Sequence, residues 1–472
     1  MKLFKSGDTL ENKKVLIMGL GTKDGGLGAA LYASKHGAEV TVTDLHEQSE
    51  LKDVLSKLKH LNIKFTLGKH SEADFITTDM VIRNPGIKRS NKFLQISNKA
   101  GIPVESPIGL FCETKKTNWI GITGTKGKSF TTHLTSHILN SAGVNSVAAG
   151  NNCVSPLRYV DNSNDKNIYP VLELSSWQLR EMNFHKKSPH IACWLNFFPD
   201  HMNWYNTMEE YKFDKESILR HQHKNDILVL PAGDPVLSDI PSIARKYYFS
   251  STRLPENLDG SFIQSNRIVW QENNTTTEII NLDSLPRHMR IPLHLNLILP
   301  AVCCAIASGL DKNKIAEGIT SFPGIPHRFQ VLSGQNNISF INDSAATTPN
   351  SVIKALDNIK TGNIILIAGG GGHKNLNYTD MAKAIKNKVE LVILFKSDPA
   401  SIKIREELEK NNFINLLTAE NMSEAVKIAK DYPARDKKTT ILLSPGCSGA
   451  PFFVDLFQRG EQFISSTQAD NS

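Results

Sequence analysis

The sequence has few cysteines and no long apolar run, and both shortages narrow the classes of protein it can belong to. The six cysteines include no CxxC pair and no partner histidines at the spacing of a zinc site. A chain of 472 residues can bury a core without disulfides, so a reducing compartment is expected. The apolar runs, such as residues 364–368 and 391–395, have strand length, and the first residues hold no apolar stretch of signal-peptide length. We therefore expect a cytoplasmic protein without membrane spans.

A strong excess of one charge and a fixed internal repeat are also missing. The 54 Lys and Arg residues exceed the 47 Asp and Glu residues by +7, and this excess is spread along the chain. Such a balance suits anionic small molecules and does not favour a nucleic-acid partner. Apolar residues make up 40% and charged residues 21%, which excludes disordered, collagen-like and coiled-coil chains.

Short β-branched runs alternate with longer stretches of helical period, which is the pattern of α/β domains built on parallel sheets. The length suggests about three domains. We place them at residues 1–114, 115–325 and 326–472, with a linker of Pro and Gly residues at 322–326. An Asn- and Thr-rich stretch at 250–281 is expected to form a hairpin or loop inside the central domain.

The strongest single motif is TGTKGKS at residues 123–129, which follows an apolar strand and precedes an amphipathic helix. Strand, glycine loop and helix N-terminus form a phosphate cradle, because backbone N–H groups and the helix dipole point at the anion. Lys128 is expected to reach the terminal phosphates and the Ser129 hydroxyl to ligate Mg²⁺. The alternative is a glycine-rich turn that only joins strand to helix.

A second group of glycines follows the first strand, at positions 19, 21, 25, 26 and 28. Asp44 ends the next strand, about two dozen residues after the first of these glycines. By itself this pattern indicates a dinucleotide site with Asp44 on a ribose hydroxyl. The insertion at residues 22–24 departs from GxGxxG spacing, so NAD is the less favoured ligand and another nucleotide diphosphate can use the same turn.

A third cluster combines Glu173 at the end of one strand with Asp200 and His201 at the end of another. Open α/β sheets bind ligands at the carboxyl ends of their strands, so these groups are expected beside the metal of the phosphate loop. For His201 alone, a hydrogen-bonded surface or core histidine is the alternative. The glycines at 369–372 are interpreted equally well as a structural turn or an anion site.

Taken together and in chain order, these segments resemble the Mur ligase family of peptidoglycan synthesis, in its MurD-type branch. The match spans nearly the whole chain, and its motifs are TGTKGKS, LELSS at Glu173, DHMNWY from Asp200, YxxxK from Tyr211 to Lys215, HRFQ from His327, NDSAATTP from Asn342, GGGGHKNLNY from Gly369 and LSPGCSGAPFFVDLFQRGEQF from Leu443. The resemblance implies an α/β protein of three domains: Rossmann-like at the N-terminus, P-loop ATPase-like in the centre and Rossmann-like at the C-terminus.

The resemblance also implies a role for individual residues. Those expected to bind ATP are Gly124, Thr125, Lys126, Gly127, Lys128, Ser129, Asn296, Arg328 and Asp343. Those expected to bind the UDP substrate are Gly19, Asp44, Gly86 and Asn151, and those expected to bind the amino acid are Thr347, Lys374 and Ser448. The implied Mg²⁺ ligands are Ser129, Glu173, His201 and Lys215, with Lys215 carbamylated. Catalysis is assigned to Lys128, Lys215 and His201.

The implied activity is ADP-forming amide ligation through an acyl phosphate, which adds glutamate to UDP-N-acetylmuramoyl-L-alanine. A monomer with ATP and these small-molecule substrates is expected. Ala345, Gly449 and Leu456 replace a lysine, a serine and a phenylalanine of the family's motifs near the amino-acid pocket. D-glutamate is therefore the first expectation and L-glutamate the second.

Two further readings stay open. A folylpolyglutamate synthase-like or other Mur-type ligase shares the central domain, although the N-terminal glycine turn with Asp44 and the C-terminal LSPG block argue against it. A nucleotide-binding regulatory protein without turnover is suggested by Ala345 and by the loss of the family's HNxxN adenine motif, which here is LHLNLILPA.

Overall fold

The computed structural model describes residues 3–21, 24–115, 117–151, 154–160, 168–200, 204–332, 334, 337–360, 362–372, 376–396, 398–432 and 438–468, with only the backbone of Arg287. His201 and Lys374, two of the predicted site residues, lie outside these ranges. The chain divides into two compact units, Met1–Leu285 with His294–Phe322 and Pro286–Leu293 with Pro323–Ser472.

The first sheet of the first unit consists of parallel strands: β1 (Lys14–Met18), β2 (Glu39–Asp44), β3 (Ile63–Leu67), β4 (Met80–Arg83) and β5 (Val104–Glu105). Their spatial order is β3-β2-β1-β4-β5. The helices between and after them are α1 (Asp24–Lys35), α2 (Lys52–Ser56), α3 (Glu72–Ile76), α4 (Lys92–Lys99) and α5 (Pro107–Thr114). β4 is buried throughout and β1 beyond its first residue, as the continuous apolar runs require of a sheet covered on both faces. The order is that of a Rossmann-like half, as predicted.

The second sheet of this unit has nine described strands in the order β14-β13-β12-β11-β10-β9-β6-β8-β7. They are β6 (Ile120–Thr123), β7 (Ser146–Gly150), β8 (Tyr169–Glu173), β9 (Ile191–Trp194), β10 (Ile227–Pro231), β11 (Arg245–Ser250), β12 (Gly260–Gln264), β13 (Arg267–Glu272) and β14 (Thr275–Asn281). The helices are α6 (Lys128–Ser141), α7 (Ser176–Phe184), α8 (Met208–Glu216), α9 (Pro292–Ala307) and α10 (Lys312–Ser321).

Strand pairing within this second sheet determines where the candidate site lies. Strands β6, β8 and β9 are parallel neighbours, so the segments that follow them leave the sheet at the same edge. The stretch at 250–281 forms the predicted hairpin, because β12, β13 and β14 pair antiparallel. Apolar residues on one face of α6, including Phe130, Leu134 and Ile138, are buried as their helical spacing predicts.

The second unit holds a sheet of six described strands, which lie in the order β15-β16-β20-β17-β18-β19. The strands are β15 (Gln330–Leu332), β16 (Ile338–Asn342), β17 (Asn363–Ala368), β18 (Leu391–Phe395), β19 (Leu416–Ala419) and β20 (Thr439–Leu443). The helices are α11 (Pro349–Asn358), α12 (Thr379–Lys388), α13 (Pro399–Lys410), α14 (Met422–Asp431) and α15 (Leu456–Gln468). All pairs are parallel except β15 with β16, which agrees with a Rossmann-like domain.

Cys303 and Cys304 are buried in α9, and burial raises the pKa of the Cys303 thiol to about 12. Within the described ranges, every helix is too short or too polar to cross a membrane.

Candidate active site

The loop after β6 has the conformation of a phosphate cradle. Gly127, at the N-terminal cap of α6, has φ of 88°, and a Cβ there would lie 2.5 Å from the Leu297 Cδ2 atom. Glycine is therefore required, because a side chain would be strained and would collide with α9. The loop is braced by Asn196, whose side chain accepts from the Lys126 N–H at 3.0 Å and donates to the Lys126 carbonyl at 3.0 Å.

The Lys128 ammonium group lies over this loop. Its Nζ donates to the Gly124 carbonyl at 2.9 Å and to the Thr125 carbonyl at 3.2 Å. Lys126 points elsewhere, is exposed, and pairs with Asp200 at 3.1 Å. Of the two lysines in the motif, Lys128 is thus the one held against the backbone where an anion would sit.

A buried carboxylate meets the start of α6. The Ser129 hydroxyl donates to Glu173 Oε2 at 2.7 Å, and the Asn151 side-chain amide donates to Glu173 Oε1 at 3.2 Å. Glu173 is fully buried at the end of β8. The sequence predicted the Ser129–Glu173 pair but assigned Asn151 to the UDP substrate only.

The same donors have the chemistry of a magnesium site. Hydroxyl and carboxylate oxygens are hard ligands of the kind that Mg²⁺ takes, and Mg²⁺ keeps several waters beside one or two carboxylates. Ser129 and Glu173 supply two such groups, with the Ser129 Oγ and Glu173 Oε2 atoms 2.7 Å apart. In the part of the chain that the structure describes, no group of three or more His, Cys, Asp or Glu side chains converges as a ready-made metal site, and the predicted ligand His201 lies outside it.

Lys215 is buried below the phosphate loop. Its Nζ donates to Thr123 Oγ1 at 3.2 Å and to the Gly124 carbonyl at 3.0 Å, so Lys128 and Lys215 contact the same carbonyl. Burial, with the charge of Lys128 as a smaller cause, holds the pKa of Lys215 well below its usual value. Burial thus favours the neutral amine of Lys215, which is the nucleophilic form, over the ammonium ion.

Three of the four predicted UDP-site residues, Gly19, Asp44 and Gly86, lie at the carboxyl ends of β1, β2 and β4, whereas Asn151 follows β7 and contacts Glu173. The Gly21 N–H donates to Asp44 Oδ2 at 2.8 Å, and the His46 backbone and ring nitrogens lie 2.9 and 2.7 Å from Asp44 Oδ1. Burial opposes ionisation of Asp44, but these contacts outweigh it and lower its pKa.

Asn84 joins the two glycines assigned to this site. Its side chain donates to the Gly19 carbonyl at 3.3 Å and accepts from the Gly86 N–H at 3.1 Å. Sequence reasoning missed Asn84, although its position in the RNPGI segment was a usable signal, since Asn side chains commonly hydrogen-bond the backbone two residues on.

The adenine-motif segment lies on α9. Asn296 is exposed, whereas His294 is buried and stacks on Phe130 with ring centroids 4.3 Å apart. Leu297 packs against Gly127, so the turn of α9 that carries Asn296 adjoins the phosphate loop. The histidine of this segment is therefore a core residue, whereas the Asn296 side chain is exposed.

In the second unit, Asp343 lies at the end of β16 and is half-buried. Its carboxylate accepts from the Phe329 N–H at 3.1 Å and from the Ser444 hydroxyl at 3.0 Å. Burial raises the pKa of Asp343 to about 7, against the opposing effect of these two donors. Arg328 is exposed beside this group.

A buried arginine holds the predicted amino-acid loops together. Arg459 is fully buried, and its guanidinium donates to the Ser344, Cys447 and Ser448 carbonyls at 2.9, 3.1 and 3.1 Å. Ser448 Oγ donates to the Gly372 carbonyl at 3.1 Å, and Thr347 lies three residues beyond Ser344. The sequence placed Arg459 in a family motif without a role. The structure makes it the residue that fixes these loops, since five donors in a planar fork suit several carbonyls at once.

Comparison with known proteins agrees with the order of these elements. Three family models match: Mur ligase MurD-like N-terminal domain at residues 13–106, Mur ligase middle domain at 122–298, and the Mur ligase glutamate ligase domain at 327–447. Among solved structures, the UDP-N-acetylmuramate-alanine ligase MurC of Thermotoga maritima has a TM-score of 0.62 at 18% identity and covers 97% of this chain and 100% of its own. MurF ligase of the same organism, in complex with ADP, has a TM-score of 0.55 at 15% identity and covers 99% and 98%.

Curated relatives are closer in sequence. A protein named UDP-N-acetylmuramoylalanine–D-glutamate ligase from Roseiflexus sp. (strain RS-1) is 32% identical over 463 residues, or 96% of this chain and 98% of the relative. One with the same name from Borreliella afzelii (strain PKo) is 32% identical over 97% of this chain and 98% of its own. Full-length identity at this level, the three matched domains and the phosphate loop with its buried lysine and carboxylate agree: the chain belongs to the Mur ligase family.

Proposed function

We propose that this protein is an ATP-dependent, ADP-forming ligase that joins D-glutamate to UDP-N-acetylmuramoyl-L-alanine in the synthesis of peptidoglycan precursors. The names of its full-length relatives support the substrates. The observation that carries the chemistry is the convergence of Lys128 and Lys215 on the Gly124 carbonyl, with the Ser129–Glu173 pair at the same helix end.

The reaction has two steps. The alanyl carboxylate attacks the γ-phosphorus of ATP, the bond to the β-phosphate oxygen breaks, and an acyl phosphate and ADP result. The glutamate amine then attacks the acyl carbon, phosphate leaves with its bridging oxygen, and the amine proton passes to solvent. Lys128 stabilises the charge that develops on the transferring phosphoryl group, as a positioned cation does in a site closed to water.

The metal would be held by Ser129, Glu173 and His201. Mg²⁺ bound there supplies charge neutralisation for the nucleotide phosphates. Addition of the neutral Lys215 amine to carbon dioxide, with loss of a proton, would replace a buried uncharged amine by a carbamate anion. Because the described hydrogen-bond partners of Lys215 are an uncharged hydroxyl and an uncharged carbonyl, the carbamate would bring a new negative charge to the loop for a second ion, alongside His201.

Other residues of the two units would bind the UDP substrate, ATP and the amino acid. Gly19, Asp44, Gly86 and Asn151 would hold the UDP substrate, and Asn296, Arg328 and Asp343 the nucleoside of ATP, with the loop from Gly124 to Ser129 on its phosphates. Thr347, Lys374 and Ser448 would hold the amino acid. We also propose domain boundaries at 1–114, 115–325 and 326–472, and a monomeric cytoplasmic enzyme without nucleic-acid or membrane partners.

The acceptor pocket decides the stereochemistry. A Cβ at Gly449 would lie 2.5 Å from the carbonyl carbon of Asp455, so the serine of the family's motif does not fit at this position without a shift of the 455 backbone. Together with Ala345 and Leu456, this gives the pocket a shape of its own. The contact favours neither enantiomer, so L-glutamate stays the second candidate.

Parallel assays of ADP release with D- and L-glutamate test the proposal. Turnover that depends on UDP-N-acetylmuramoyl-L-alanine and is faster with D-glutamate is expected. A clear preference for L-glutamate would replace the first choice by the second. Binding of both nucleotides without turnover on either enantiomer would identify a regulatory protein.

The pH dependence of ATP use should report Asp343. A ribose hydroxyl donates to a carboxylate, so the ionised form is the productive one, and its pKa in the free enzyme is raised to about 7. We expect kcat/KM for ATP to rise as the pH increases through about 7 and then to level off. Asp343→Asn is expected to raise KM for ATP and to abolish this rise of kcat/KM with pH. An unchanged rise in the variant would assign the titration to another group.

A further inference from the structure

One face of α7 contacts the loop that follows β4. Trp177, Glu181 and Phe184 are spaced at i, i+4 and i+7, so they lie on the same side of the helix. Glu181 is buried and accepts charge-assisted hydrogen bonds from both Arg83 and Arg89, the latter with Nε at 2.9 Å from Oε1.

The aromatic side chain at the end of this face completes the attachment. The Arg89 guanidinium lies 4.8 Å from the Phe184 ring centroid. Two arginines on one buried glutamate form a strong anchor, because breaking either contact would leave charge buried without its partner. The loop of residues 84–91 is thereby fixed against α7.

This anchor brings an exposed cation and two indole rings together. Lys88, next to Arg89, places its Nζ 4.5 Å from the Trp204 ring centroid. The Trp177 and Trp204 rings are 5.6 Å apart at an angle of 42°, and both are half-buried. We call Lys88, Trp177 and Trp204 the indole platform.

The residue that follows Trp204 in the chain is held by buried contacts. Tyr205, the residue after Trp204, is buried, and its hydroxyl donates to Asp214 at 2.9 Å. Asp214 also accepts from Arg180 on α7 at 2.8 Å. Trp204 is therefore set by its buried neighbour, and half-exposed aromatic rings held in this way are typical of ligand-binding surfaces.

The position of the platform indicates its ligand. Lys88 follows Gly86 of the UDP site by two residues, and Trp177 lies in the first turn of the helix that begins three residues after Glu173. A substrate that binds its uridine at Asp44 and presents a carboxylate near Glu173 must pass between these two points. The part of the substrate that spans this interval is a hexose joined to a diphosphate.

We propose that the indole platform is the binding subsite for the pyranose ring of the UDP-linked substrate. The C–H face of the sugar packs on Trp177 and Trp204, and the Lys88 ammonium pairs with the diphosphate to which the sugar is attached. The chemistry fits, because indole faces take apolar rings and a lysine is a suitable point charge for phosphate. This inference rests on the proposed function for the identity of the sugar.

Binding measured by calorimetry on the full chain tests the subsite, with UDP-N-acetylmuramoyl-L-alanine and UDP as separate probes. Trp204→Leu is expected to weaken binding of the UDP-sugar by about 10-fold while leaving UDP binding unchanged. Trp204→Phe is expected to recover most of the affinity. Lys88→Gln is expected to weaken both probes, since both carry the diphosphate.

The matched control is Phe213→Leu. Phe213 is an exposed ring on α8 that also contacts a cation, with the Arg220 guanidinium 3.9 Å from its centroid, and it is not one of the three platform residues. Phe213→Leu is expected to leave the affinities for UDP and for the UDP-sugar unchanged. The proposal would be overturned if wild type and Trp204→Leu bound the UDP-sugar with equal affinity, or if Trp204→Leu lost equal affinity for UDP and for the UDP-sugar.

Tryptophan fluorescence tests the subsite on the wild-type protein, so the main comparison does not depend on the stability of a variant. The UDP-sugar is expected to change the emission of the wild-type protein more than UDP does, and Trp204→Phe is expected to reduce that difference. An identical response to both probes would contradict the subsite. Failure of the proposed function is distinguishable, because then the wild-type protein itself binds no UDP-sugar, whereas failure of the subsite leaves wild-type binding and turnover intact.

Discussion

Lys128→Ala is expected to lower the rate of ADP formation by about 10²-fold or more, with the fold preserved. The ammonium group contacts two loop carbonyls and lies at the first residue of α6, so its removal leaves no cavity in a core. What is lost is the cation that stabilises charge on the transferring phosphoryl group. Steady-state ADP release at saturating ATP measures the effect, and the melting temperature checks the fold.

Lys314→Ala is the matched control. This lysine is exposed in α10 and pairs with Glu317 at 2.8 Å, an exposed contact of small energetic weight. Its removal is expected to change neither rate nor melting temperature. Near-normal ADP release by Lys128→Ala would contradict the role of the phosphate loop.

Lys215→Ala is expected to be nearly inactive and to regain part of its activity with a short carboxylic acid such as formate or acetate. The side chain is fully buried and holds the loop through Thr123 and Gly124, and the carbamate that it would form carries a negative charge. A small carboxylate that enters the vacated space restores that charge, whereas chloride at the same concentration does not. Rate against acid concentration measures the rescue.

Lys212→Ala provides the comparison within the same helix. Lys212 is partly exposed on α8 and lies 3.5 Å from Glu216, so its loss is expected to leave the rate unchanged. Wild-type activity of Lys215→Ala would show that Lys215 has only a structural role. An inactive variant that no carboxylate rescues would assign Lys215 to support of the loop rather than to a carbamate.

The sequence predicted those parts of the site that depend on local order. A strand, a glycine loop and a helix follow one another at residues 120–141, so the positions of Lys128 and Ser129 could be predicted directly. The approach of Glu173 to Ser129 could also be predicted, because β6 and β8 are parallel and both end at the same edge.

Contacts between distant loops could not be predicted in this way. Arg459 donates to Ser344, which lies 115 residues earlier, and Arg89 meets Glu181 across 92 residues. Nothing in the local pattern of either arginine distinguishes a buried bridge from an exposed charge. Asn196 is an intermediate case, since its place after β9 was a signal but its brace on Lys126 depends on strand pairing.

Transfer of oxygen-18 tests the central claim most directly. UDP-N-acetylmuramoyl-L-alanine labelled with oxygen-18 in both oxygens of its alanyl carboxylate is incubated with the enzyme, ATP and D-glutamate, and the released phosphate is analysed by mass. The proposed acyl phosphate predicts one labelled oxygen in each phosphate, together with equal amounts of ADP and amide. Amide formation with unlabelled phosphate, or with AMP in place of ADP, would contradict the account.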